Sequence, residues 1–91
     1  MRGMTEKVQE MIKDYASDQR HKLILMNDEV NTFDHVIRSL IRVVNHSPEQ
    51  AEQCAYITHY KGSCQIKSGS KEELMPIYRS LIDLDLDLVL R

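Results

Sequence analysis

Chemistry in this chain starts at Asn27 and Asp28. They stand side by side where an apolar run, Leu23-Ile24-Leu25-Met26, gives way to polar residues. Their side chains bring an amide oxygen and a carboxylate, with no neighbouring base in sequence. That is half a site for a small cation. His59 is the other polar residue of interest. It falls in the last turn of a later helix, where an imidazole commonly interacts with the helix dipole and the terminal carbonyls. Taken alone, Asn27-Asp28-Glu29 reads as a polar turn. Asp28 and His59 together could form an acid–base pair, but no activated nucleophile stands beside them. The chain has no nucleophile elbow, no phosphate-cradling glycine loop and no zinc signature. Cys54, His59 and Cys64 match no common metal spacing. Neither a metal nor a cofactor is expected, and the chain does not read as an enzyme.

The secondary structure around these groups is legible from strand to strand. Lys22 to Met26 is a short buried strand. Thr32 is an N-cap, and helix one runs from Phe33 to Asn45. Phe33, Val36, Ile37, Leu40, Ile41 and Val44 form its apolar face, with Arg38 and Arg42 outward. Ser47-Pro48-Glu49-Gln50 is a capping box with proline in the first turn. Helix two runs from there to Lys61, and Gly62 stops it. Its inward residues are Ala51, Cys54, Ala55, Thr58 and Ile57. Gly62 to Ser68 alternates as a half-buried strand. Ser70 and Glu73 form a second capping box opening helix three, whose apolar face is Leu74, Ile77, Tyr78 and Leu81. Pro76 either kinks that helix or marks its true start near Met75. Leu84 to Leu90 alternates leucine with Asp85, Asp87 and Val89, which predicts a strand with an acidic outer face. Those charges read as a solvated edge that blocks strand addition.

The order is β-α-α-β-α-β. Three short strands need helices over one face, so the fold class is α+β: a two-layer sandwich with a three-stranded, mostly antiparallel sheet covered by three helices. Residues 1–21 are expected to be a flexible N-terminal extension, with only a transient amphipathic pattern at Val8, Met11, Ile12 and Tyr15. Residues 22–91 form the core domain. With 91 residues and a formal net charge of −2, the chain is one small domain without the basic excess of a nucleic-acid surface. No apolar run reaches membrane-span length, and Met1 to Gln19 lacks a signal-peptide core. The expectation is therefore a cytoplasmic protein with Cys54 and Cys64 as free thiols.

Taken together, the run from Asn27 to Val36 and the later His59-Tyr60-Lys61-Gly62 resemble the ClpS adaptor family. The resemblance covers Lys22 to Arg91. It implies binding of N-degron protein substrates by an N-terminal Phe, Tyr, Trp or Leu, and their delivery to a ClpA-type AAA+ unfoldase. By that resemblance Asn27, Asp28 and His59 receive the substrate α-amino group. An apolar pocket is lined by Phe33, Val36, Ala55, Thr58 and Leu86, with Asn31 at its rim. Glu72 matches the family's unfoldase-docking glutamate, while its lysine partner falls at Ile77, with Arg79 close by. Members commonly carry Tyr-Thr-Pro-Met where this chain has Val30-Asn31-Thr32-Phe33. The gate is thus Phe33 in place of Met, Ala55 stands where Met is common, and Thr58 replaces an aliphatic residue. These changes oppose one another in volume and leave the preferred residue open. The competing reading is a ribosome-stalk-like interaction domain of the same architecture, with no N-degron pocket.

Overall fold

The structure is a computed structural model and describes residues 21–91. The expected N-terminal extension therefore lies outside the described residues, apart from His21, which already belongs to the first strand.

Strand β1 (His21–Met26) is central in a sheet of order β2-β1-β3. Its leucines Leu23 and Leu25 point into the core, 0% and 2% exposed. β2 (Ser63–Gly69) and β3 (Leu88–Leu90) pair antiparallel to it on either side. The β1–β2 register slips between Leu23 and Ile24. The extra residue is Ile66 of β2, which falls between the paired Gln65 and Lys67, and such a bulge increases the local twist.

Helix α1 (Phe33–Ser39) starts as its sequence requires, Thr32 Oγ1 accepting from His35 N–H at 3.1 Å. It does not run on to Asn45 as a regular helix. Leu40–Val44 widens into a π-helical segment, closed by Asn45 in the left-handed region at φ 65°. Leu40 and Val44 are buried there against the sheet leucines.

Helix α2 (Pro48–Lys61) begins in the expected full capping box between Ser47 and Gln50 and ends at Gly62, φ 96°. Ala51, Cys54, Ala55 and Thr58 face inward as the spacing predicts. Ile57 does not: it is 43% exposed, because it sits one helical step outside that stripe.

Helix α3 (Lys71–Asp83) passes through Pro76 without starting late. Ser70 Oγ accepts from Glu73 N–H. The Glu73 carboxylate lies over Gly69, where a Cβ would meet its Oε2 at 2.8 Å, so the return bond of a second capping box is not made.

The strand expected over Leu84 to Leu90 shrinks to Leu88–Leu90. Leu84 and Leu86 N–H groups bond back to Leu81 O, and Asp85 turns at φ 66°. The backbone of Leu84–Leu86 is thus taken up by the end of α3. Burial still alternates as the sequence implies, with Leu86 and Leu88 buried and Asp85 and Asp87 exposed. The result is a three-stranded antiparallel sheet with three helices, an α+β sandwich with the element order expected.

Candidate functional site

Asn27 N–H donates to Gly62 O at 2.9 Å. This bond ties the end of β1 to the end of α2 and brings the Asn27–Asp28 corner beside the last helical turn, which carries His59. A cavity of about 50 Å³ opens between them. Asn27, Asp28 and Asn31 border it from the turn, Phe33 and Val36 from α1. Ala55, Thr58 and His59 border it from α2. Leu25 and Met26 contribute from β1; sequence reasoning misses them, since their strand pattern signals only burial. Leu86 is a correction: it is 3% exposed within the main core and does not border the cavity. The turn at Asp85 carries it into that core.

Asp28 is more than a surface acceptor. Its Oδ1 accepts from the backbone N–H groups of Val30 and Asn31 at 2.9 and 2.8 Å, and its Oδ2 accepts from Asn31 Nδ2 at 2.8 Å. Partial burial works against the ionised form. The Asn31 and Val30 donors, with the charge of His35, outweigh it and hold the carboxyl below the usual range. Asn31 also donates from the same Nδ2 to Asp85 O at 2.7 Å, linking this turn to the one after α3. His35 reinforces the link: its Nε2 lies 2.7 Å from Leu84 O, so that nitrogen carries the proton. The side chains of Asn27 and His59 bond to no other described residue. Both border the cavity.

Thr58 Oγ1 donates to Cys54 O at 2.8 Å, so its hydroxyl serves its own helix and adds no donor to the cavity. The mouth is aromatic. Phe33 lies 5.1 Å from the rings of both Tyr56 and His59, and Tyr60 sits edge-on to His59 at 4.9 Å.

Glu72 lies apart, exposed in the first turn of α3, in a shallow groove shared with Arg79. Ile77 instead packs against the core and is not part of that groove. Cys54 and Cys64 are free thiols, Cys54 buried; burial and the neighbouring Cys64 thiol raise its pKa. Among the described residues no group of His, Cys, Asp or Glu is arranged to hold a metal. No described helix is long and apolar enough to cross a membrane.

The fold and cavity define a small α+β binding domain with a cleft at a strand–helix junction. The family described as ATP-dependent Clp protease adaptor protein ClpS matches residues 16–83. The chain belongs to that family, whose members are protease adaptors and not enzymes. A ClpS adapter protein of Thermosynechococcus vestitus is 29% identical over 63 residues, 68% of this chain and 67% of that protein. One from Campylobacter jejuni is 35% identical over 48 residues, 53% of this chain and half of that protein's length. The fold matches that of Agrobacterium tumefaciens ClpS2 bound to L-phenylalaninamide, with TM-score 0.74 and 18% identity over 78% of this chain and 93% of that one.

Proposed function

We propose that this adaptor binds proteins by an exposed bulky hydrophobic N-terminal residue and delivers them to a ClpA-type AAA+ unfoldase. The observation that carries this reading is one cavity with apolar walls, bordered by Asn27 and Asp28 on one side and His59 on the other. An α-ammonium brings three N–H donors and one charge. Asn27 offers an amide oxygen and Asp28 the lone pair its own turn leaves unused, and His59 offers a ring nitrogen when its imidazole carries no charge. The apolar side chain beside the ammonium enters the cavity. L-phenylalaninamide, the ligand of the Agrobacterium protein, combines a free α-amine with an apolar side chain, the same pairing of features.

The magnitudes agree with reversible capture. A charge-assisted hydrogen bond contributes about 1.5–3 kcal/mol net, and burying one Leu or Phe side chain contributes about 1.5–3 kcal/mol. Immobilisation opposes these by several kcal/mol. These terms nearly offset one another, so capture is reversible and depends on every contact of the pair being made. Neither half suffices: an internal Phe lacks the ammonium, and an N-terminal Ser lacks apolar burial. A stalk-like interaction domain needs no such cavity, so this observation favours the adaptor reading.

Delivery draws on a second surface. Glu72 and Arg79, in their shallow groove on α3, are the residues we assign to unfoldase contact.

The test is binding of immobilised peptides that begin with Leu or Phe, with the α-amine free or acetylated. Free amines should retain the protein and acetylation should abolish retention. His59→Ala should weaken binding about tenfold or more, the equivalent of one charge-assisted hydrogen bond. Equal retention of acetylated peptides would remove the ammonium from the site.

A further inference from the structure

We propose that Tyr56, which does not border the cavity, sets its size selectivity by fixing Phe33, so that an N-terminal leucine is preferred to an aromatic residue. The inference rests on the N-terminal-residue reading above. A dry protein cavity that takes a benzene ring measures about 150 Å³. The cavity here is about 50 Å³ and is open at its mouth, so with Phe33 in place it takes the branched end of a leucine more readily than a whole phenyl or indole ring. Ala55, small as it is, does not enlarge the cavity to ring size.

What closes it is the position of Phe33. Its ring is flanked at 5.1 Å by Tyr56, tilted 39°, and at 5.1 Å by His59, edge-on at 63°. Tyr56 is itself stacked on Tyr60, 6.3 Å away and within 8° of parallel. Phe33 is therefore held from the outside by a row of rings along α2. An incoming aromatic side chain must turn Phe33 out of that row and lose its pairing. A leucine enters with Phe33 in place. The Thr58 hydroxyl has spent its donor on Cys54 O, so it could meet a tyrosine hydroxyl only as an acceptor.

Tyr56 is 46% exposed, so its replacement leaves the core intact. The test compares dissociation constants for peptides identical but for an N-terminal Leu, Phe or Trp. The unaltered protein should bind Leu about threefold or more tighter than Phe, with Trp weaker still. Tyr56→Leu should reduce the Leu-to-Trp ratio by about two- to tenfold, the weight of one aromatic pair. Tyr56→Phe, which keeps the ring, should preserve the ratio. Phe33→Ala should reduce it as well, by removing the obstacle. Equal affinities for Leu and Trp, or a ratio unchanged in Tyr56→Leu, overturns the proposal while amine-dependent binding stands. Binding of an acetylated Leu peptide as tight as the free one overturns the underlying reading, and this inference with it.

Discussion

Asp28 has two tasks, and they pull on experiments differently. It faces the cavity, and it holds its own turn through Val30 and Asn31. Removing it should therefore loosen the turn as well as the site, which makes His59 the cleaner binding probe. The depressed pKa gives a signed expectation. The folded state favours the carboxylate, so its contribution is complete above the unfolded value of about 3.9 and is lost as pH falls through the lower folded value. Thermal melts in acid should show stability dropping across that window. Asp28→Ala should be less stable at neutral pH and should fall less steeply in acid. Asn27, Asp28, Phe33, Val36, Ala55, Thr58 and His59 can be placed at one site from their types and the family pattern. Asn31 can be placed at the rim in the same way, yet its amide spans two turns that are distant in sequence, a link no local pattern encodes. Leu86 fails for a related reason: alternation gives its burial but not the turn that decides which cavity it faces.

Among the elements, α2 depends most on a single backbone conformation. Gly62 sits at φ 96°, and a Cβ added there would have nothing within 4 Å, so a side chain would meet backbone strain and no clash. Gly62→Ala should cost about 1–2 kcal/mol, read as a melting temperature lower by several degrees. Its carbonyl also accepts from Asn27, so the same variant should weaken amine-dependent binding. The helix starts at Thr32, Ser47 and Ser70 and the stop at Gly62 are readable in sequence because caps act within a few residues. The shortening of β3 is not. A period of two reports which side chains are buried, but Leu84 and Leu86 spend their N–H groups on Leu81 O before any strand can form. The widening at Leu40–Val44 is equally hidden, since its residues keep an ordinary helical spacing.

The molecule as a whole rests on one core, in which Leu23, Leu40, Leu74 and Leu81 are wholly buried. Stability in a domain of this kind is about 5–15 kcal/mol. Leu81→Ala should remove about 2–5 kcal/mol of it, measurable by urea denaturation. Because the cavity is shared between β1, α1 and α2, peptide binding should be lost in step with unfolding and not before it. The π-helical segment bears on the same joint architecture. It holds the equivalent of one surplus residue wound into a single turn. Deleting one residue there would let the helix return to regular winding with little change in the direction α1 presents, since the wide turn and a regular turn each close one full rotation. Phe33 would stay opposite Tyr56 and His59. The segment thus stores a residue without dephasing the helix on either side of it, and a variant shortened by one residue there should keep both its leucine core and its peptide binding.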